Sequence, residues 1–201
     1  MLFPPRSRKS AAGSRTVWFL CLWTTAFLAS EQAWAGPHSA LKRLLSDLRG
    51  PSSATQVLTE RCSRLELASP PIIRAVRQSE VDIKPSAHTR ALLRVSAGQT
   101  IRYRRVQLFC GDHLLSEADN WYVPDRLSAD MNKLLDTTQT PFGTVVRPLD
   151  FHRRTLQVTT LHDHAHVVRV SALLLSGTGA PFSLVVENYS RILVESTKPD
   201  P

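Results

Sequence analysis

The sequence is poor in the residues and motifs that mark several large protein classes. It has three cysteines, two methionines and eight glycines in 201 residues. It contains no G-x-S-x-G segment, the pattern of many hydrolase nucleophiles, and neither a G-x-G-x-x-G segment nor a P-loop. No internal repeat or low-complexity stretch is present. Hydrolase and nucleotide-binding functions therefore have no support in the sequence.

Positive charge is in excess but scattered. Lysine and arginine number 25 against 17 acidic residues, for a formal net charge of +8. No basic run is interleaved with aromatic residues, so we expect no nucleic-acid partner. The excess is suited to anionic ligands or to an anionic membrane surface.

The first 35 residues have the three parts of a secretory signal. A basic start precedes an apolar run at residues 17–29, and Ala33, Trp34 and Ala35 form an A-x-A cleavage site. The alternative, an uncleaved anchor, needs an apolar run of about 20 residues. We therefore predict cleavage after Ala35, a periplasmic or secreted protein with no stable membrane anchor, and a single domain over residues 36–201 with a helical segment at 36–70.

Two cysteines, Cys62 and Cys110, remain after that cleavage. In an oxidising compartment they could form a disulfide. They could equally be two buried free thiols, because a sequence does not show whether their Cα atoms lie within bonding distance.

Strand-like runs outnumber helical patterns in the last two-thirds of the chain. Strands are predicted at residues 72–77, 101–110, 114–123, 153–161, 166–175 and 182–194, and helices at 38–49, 53–62, 85–95 and after Ser128. Most connections between the strands are too short for crossover helices. The pattern predicts an α+β fold with an antiparallel sheet partly covered by helices.

Residues 101–149 carry the most specific order of signals. Gly111 and Asp112 separate two strands and favour a type II′ hairpin, because glycine accepts a positive φ. A helix follows, and Thr140 and Pro141 are typical of an N-cap and the first residue of another helix.

This order resembles chorismate pyruvate-lyase: an arginine (Arg105) five residues before Cys110, a hairpin, a helix, the Thr-Pro-Phe-Gly turn and a late strand with Glu187. The resemblance covers roughly residue 105 to the end. It implies an antiparallel sheet whose helices close over a buried pocket. It also implies conversion of chorismate to 4-hydroxybenzoate and pyruvate without a cofactor.

The resemblance implies roles for three residues. Arg105 would grip the ring carboxylate of a small aromatic acid, since its planar fork suits a carboxylate. The Phe142 backbone amide would bind the same carboxylate, and Gly143 would permit close approach. Glu187 would face the hydroxyl at the far end of the ring and assist elimination. Arg105 and Glu187 are thus the predicted catalytic residues.

Each of these residues also has a purely structural interpretation. Arg105 could be a surface residue with its stem on apolar neighbours, as we expect for Arg102 and Arg104. Phe142 could belong to the core, and Glu187 could form an ion pair with Arg105 or Arg191, because a buried carboxylate needs a partner.

His162, His164 and His166 alternate, a spacing that can ligate zinc on a strand. No second ligand shell is evident nearby, so we expect a solvent-facing cluster and no metal site.

Two functions follow from the resemblance. One is the lyase. The other is a non-catalytic, periplasmic small-molecule-binding protein of the same fold. The predicted export counts against the lyase, because chorismate is made and used in the cytoplasm. No helix-turn-helix precedes the domain in the sequence, so a DNA-binding regulator is not indicated, and the oligomeric state is left open.

Overall fold

A computed structural model of the chain describes residues 37–50 and 52–195. The predicted secretory signal and its cleavage site lie outside the described residues. Within those two ranges, no helix combines the length and the apolar character needed to cross a membrane.

A six-stranded antiparallel sheet forms the body of the fold, in the order β1-β2-β3-β6-β5-β4. The strands are β1 (Ile73–Arg77), β2 (Arg102–Cys110), β3 (His113–Tyr122), β4 (His152–Thr160), β5 (His166–Leu175) and β6 (Pro181–Ser190). Every neighbouring pair is antiparallel. This confirms the predicted α+β class and the chorismate lyase-like arrangement of an open sheet with helices.

Of the five α-helices in the described residues, four cover one face of the sheet. They are α1 (Pro37–Arg49), α2 (Ala54–Arg64), α4 (Ala129–Thr137) and α5 (Phe142–Val145), while α3 (Ala87–Leu93) packs on the other face. Beneath α1 and α2 lies one apolar cluster that includes Leu58, Val106 and Leu108. Beneath α4 and α5 lies a second one that includes Leu135 and Phe142. The covered face thus holds two cores side by side.

The local signals in the sequence place most element ends correctly. Ser53 and Gln56 form a capping box on α2, and Ser128 caps α4 through the Met131 amide. Gly111 has a φ of +56°, and a Cβ at this position would lie 3.1 Å from that of Ala68. The hairpin turn therefore requires glycine.

Two predicted boundaries are wrong. The last strand ends at Ser190, and residues 191–193 form a 3-10 turn. Helix α5 begins at Phe142 with Pro141 in the cap position, whereas Thr140 bonds to Thr138 through their hydroxyls. Helix α5 is not capped by Thr140 because the Thr138 side chain already bonds to the Thr140 hydroxyl.

Cys62 of α2 and Cys110 at the end of β2 form a disulfide, with their Cα atoms 6.1 Å apart. Both side chains are fully buried. The structure therefore decides between the two interpretations of the cysteines in favour of the bridge, which joins α2 to the sheet.

We expect the bridge to be a main contributor to stability. It spans a sequence separation of 48 residues, and the loss of chain entropy in the unfolded state gives a stabilisation of about 4 kcal/mol. Dithiothreitol should lower the free energy of unfolding by about that amount in urea titrations. In a Cys62→Ala/Cys110→Ala control the reductant should have no effect. Labelling of both thiols in unfolded, unreduced protein would contradict the bridge.

Candidate functional site

A cavity lies on the helix-covered face, between the two apolar clusters and against α5. Its volume is about 40 Å³, above the ~10–15 Å³ that a cavity needs to hold one water molecule. Polar and apolar side chains both contribute to the wall. The lining residues are Ser53, Ala54, Thr55, Val106, Leu108, Ala118, Asn120, Pro141, Phe142, Gly143, Phe151, Arg153, Leu174, Val185 and Glu187.

Two of the three predicted site residues meet in this cavity. Phe142 and Glu187 both line it, from α5 and from β6. Gly143 beside Phe142 packs closely on α2, since a Cβ there would lie 2.9 Å from the Thr55 hydroxyl. The close approach predicted for Gly143 is thus an approach to another helix.

Arg105 does not lie with them. It is on the opposite face of β2, its side chain is 30 % exposed, and its Nε is 3.7 Å from the Asp119 carboxylate. Tyr103 donates a hydrogen bond to that same carboxylate. Contrary to the prediction, the structure therefore does not bring Arg105 and Glu187 into one pocket.

The neighbouring arginine, Arg104, points into the covered face. Only 2 % of the residue is exposed. Its Nε and both of its terminal nitrogens are buried without a hydrogen-bond partner. The expectation that Arg104 is a surface residue is wrong, because strand alternation places it beside Val106 and Leu108, which line the cavity. Across the ladder it pairs with Asn120, another lining residue.

Strand parity would have identified Arg104, had the inward orientation of Cys110 been known. Side chains six residues apart on a regular strand share a face, whereas those five apart do not. Cys110 points to the helices, since it bonds to Cys62. Arg104, six residues earlier, must then share its face, and Arg105 cannot. The missing information was the orientation of Cys110.

The surroundings of Arg104 are electropositive. Burial lowers the pKa of Arg104 to about 10; Tyr122 and Asp136 act to raise it and Arg77 to lower it. Asp136 on α4 is engaged elsewhere, with both oxygens accepting from Arg102 at 2.6 and 3.0 Å. Asp136 pairs with Arg102 and lies 3.9 Å from Arg77, and the more deeply buried Arg104 has no hydrogen-bond partner.

A second arginine buried on the sheet, Arg153 of β4, is fully paired in charge. Its Nη2 donates to Glu187 at 2.5 Å, and their side chains are only 4 % and 8 % exposed. The Tyr189 hydroxyl donates to the same carboxylate oxygen at 2.9 Å. The sequence led us to expect Arg105 or Arg191 as the partner of Glu187. Arg153 was missed because only the β4–β5–β6 pairing brings it there.

Burial and the local charges act together on this cluster. Burial by itself lowers the pKa of Arg153, but the charges of Glu187 and Tyr189 and the hydrogen bonds with both residues together outweigh burial and raise that pKa above its ordinary value. Burial, together with Glu187, raises the pKa of Tyr189 well above 10. Tyr189 is therefore a protonated donor at neutral pH.

Residues 124–149, of which Pro141, Phe142 and Gly143 line the cavity, are called the lid below. At the start of the lid, Arg126 donates to the backbone carbonyls of Leu93 and Arg94 at 2.6 and 3.1 Å, and also to that of Pro181. Its other edge is held by the Arg102–Asp136 pair and by a 2.7 Å hydrogen bond from the Ala75 amide to the Gln139 carbonyl. The Arg102–Asp136 ion pair is half-exposed, so it holds the lid more weakly than the Arg126 contacts do.

The histidines do not form a metal centre. His162 and His164 are exposed in a loop, and His166 begins β5 within 3.2 Å of Glu117. In the part of the chain that the structure describes, no group of three or more His, Cys, Asp or Glu side chains could hold a metal ion.

One curated protein is similar along most of this chain. It is the uncharacterized protein y4mC of Sinorhizobium fredii (strain NBRC 101917 / NGR234), 36 % identical over 202 aligned positions that cover 86 % of this chain and 85 % of that protein. No family model matches the chain.

Solved structures share the fold at low identity. The crystal structure of PhnF from Mycobacterium smegmatis has a TM-score of 0.52 and 12 % identity, covering 76 % of this chain and 78 % of PhnF. The crystal structure of its effector domain alone has a TM-score of 0.51 and 9 % identity, covering 70 % and 90 %. A possible transcriptional regulator, YydK from Bacillus subtilis subsp. subtilis str. 168, has a TM-score of 0.45 and 12 % identity, covering 64 % of this chain and 62 % of YydK.

The unpartnered Arg104 makes a prediction about stability. Burial lowers its pKa to about 10, below that of a free arginine, so the unfolded chain holds this proton more tightly. The destabilisation is complete below pH 10 and is relieved only as the pH rises above that value. Arg104→Met should therefore stabilise the ligand-free protein at pH 7 by about 1–4 kcal/mol, measured by calorimetry.

The matched control is Arg153→Met, which leaves Glu187 buried without its cation. It should destabilise by about 3–5 kcal/mol. A loss of stability in Arg104→Met similar to that in Arg153→Met would show that Arg104 has a partner in the folded protein.

Proposed function

The chain belongs to the family of the uncharacterized protein y4mC of Sinorhizobium fredii, and for this member we propose binding of a small aromatic carboxylate beneath the lid. Arg104 holds the carboxylate in this proposal, in place of Arg105. The proposed protein is a binding domain and not a lyase.

The observation that carries the proposal is the isolated guanidinium of Arg104. A buried cation without a partner is costly, by several kcal/mol even after relaxation of the surroundings. Arginine offers a planar fork that matches a carboxylate with two parallel hydrogen bonds. All three nitrogens of Arg104 are buried and free of hydrogen-bond partners. A ligand carboxylate would supply the missing partner.

The aromatic character of the ligand is inferred from four rings on the covered face, of which Phe142 and Phe151 line the cavity. Tyr122 and Phe142 have ring centroids 5.5 Å apart, and Phe182 lies 6.4 Å from Phe142. Phe151 meets Phe182 edge-on at 6.0 Å. Rings in contact prefer such offset or edge-to-face arrangements, so a planar aromatic ligand would extend this cluster.

A binding role also agrees with the structural likeness. One of the solved structures that share the fold is the effector domain of PhnF, and this likeness supports a ligand-responsive domain here. The export predicted from the first 35 residues belongs to the same proposal, which places the ligand outside the cytoplasm.

The lyase requires a group that is free to assist elimination. Glu187 is the residue that the resemblance assigns to this step. Its carboxylate already accepts hydrogen bonds from Arg153 and Tyr189. We therefore assign Glu187 to charge pairing, and we expect no release of pyruvate from chorismate.

Calorimetric titration with 4-hydroxybenzoate tests the proposal. Arg104→Met should weaken binding about tenfold to a hundredfold, because a charge-assisted hydrogen bond contributes about 1.5–3 kcal/mol. Arg105→Met removes the same charge from the opposite face and should leave the affinity within about twofold.

Two outcomes would contradict the proposal. If Arg105→Met weakens binding and Arg104→Met does not, the carboxylate site lies on the other face of β2. If the wild-type protein releases pyruvate from chorismate, the binding-only assignment is wrong.

The small cavity predicts that binding requires movement of the lid. At about 40 Å³ it is far below the ~300 Å³ of a typical small-molecule site. Asp136→Asn breaks the contact with Arg102 and should accelerate association of 4-hydroxybenzoate several-fold in stopped-flow measurements.

The control for that experiment is Asp130→Asn, at an exposed position on the first turn of α4. It changes the net charge equally but leaves the lid contact intact. Equal acceleration in both variants would mean that charge alone, and not release of the lid, controls access to the cavity.

A further inference from the structure

We infer that Glu187 selects the charge of the ligand: by neutralising Arg153 it restricts the cavity to monoanions and excludes dicarboxylates. This inference rests on the proposed function and specifies the ligand class for the same site. It concerns the part of the cavity that Arg153 and Glu187 line.

The two ends of the site have different charge balances. At the first end Arg104, which adjoins the cavity beside the lining residues Val106 and Asn120, is buried without a partner, so one negative charge is needed there. At the second end the positive charge of Arg153 is already matched by Glu187 at 2.5 Å. The described site therefore lacks one negative charge, not two.

The sheet places these ends at a separation suited to a single small molecule. Arg104 pairs with Asn120, and Glu187 pairs with Ala118 on the same strand, β3. Two strand spacings of ~4.8 Å and one same-face step of ~6.6 Å put the Cα atoms of Arg104 and Glu187 about 12 Å apart. Long side chains on one face can thus contact opposite ends of one para-substituted ring.

Hydrogen bonding at the second end also distinguishes neutral from charged groups. The Nε of Arg153 is buried and has no partner, and Arg153 lines the cavity. A neutral acceptor on the ligand, such as a nitro, carbonyl or ether oxygen, could accept from this N–H. A second carboxylate in that position would meet the carboxylate of Glu187, and two like charges about 4 Å apart repel strongly in a buried site.

Two ligands of nearly equal shape separate charge from size. Terephthalate carries a second carboxylate where 4-nitrobenzoate carries a neutral, planar nitro group. The wild-type protein should bind 4-nitrobenzoate at least about a hundredfold more tightly than terephthalate. In Glu187→Gln the cation of Arg153 is free, so this preference should fall at least tenfold or reverse.

Glu187→Gln leaves Arg153 buried without its anion, so the ligand-free variant should be less stable than the wild type. Terephthalate would replace the missing charge, so it should raise the melting temperature of Glu187→Gln more than 4-nitrobenzoate does. The double variant Arg153→Met/Glu187→Gln has neither charge. It should fold without ligand and still reject terephthalate, because no free cation is available.

The outcomes distinguish this inference from the proposed function. If the wild-type protein binds neither benzoate derivative, the proposed function fails. If it binds 4-nitrobenzoate and the preference is unchanged in Glu187→Gln, only the charge selection is overturned. The charge selection would also be overturned if Glu187→Gln does not fold even with terephthalate, or if the double variant binds terephthalate tightly.

Discussion

A guanidinium removed from water needs an anion, and this constraint governs the covered face of the sheet. Two arginines of the sheet, Arg104 and Arg153, are buried there. Arg153 meets the constraint within the fold, through Glu187, and Tyr189 adds a hydrogen bond to the same carboxylate. Arg104 does not, although Asp136 lies close enough to influence its pKa. A fold that retains such a cation gives up stability at that position, which is typical of a site prepared for a ligand.

The position of this site follows from how the helices divide the sheet. Helices α1 and α2 cover one half of the face and α4 and α5 the other, so two apolar clusters form instead of one. The cavity lies where they meet, and α2 and α5 both contribute to its wall. The disulfide joins α2 to β2, so this side of the wall is covalently held. The lid side depends on hydrogen bonds and on the half-exposed Asp136 pair. The enclosure is thus rigid on one side and held by weaker contacts on the other.

The fold and the site differ in how far the sequence predicts them. The fold signals in the sequence are local: alternating apolar residues, the Gly111 turn and the serine caps each depend on neighbours within a few positions. The strands, most helices and the α+β class could therefore be predicted. Phe142 and Glu187 both line one cavity, and both lie in segments whose local pattern is clear. The choice between Arg104 and Arg105 could not be made in the same way, because either face of β2 could have been the buried one.

By itself the sequence determined the antiparallel sheet, its hairpin and the candidate residues of the covered segment, because these follow from backbone preferences and from the period of two along a strand. Only the tertiary structure decided which arginine is buried, which partner Glu187 has and whether Cys62 meets Cys110. Each of these depends on contacts between residues far apart in the chain: Arg153 reaches Glu187 across β5, and Cys110 fixes the inward face of β2 only once α2 is packed upon it. Pairing order and packing, not local preference, bring such residues together.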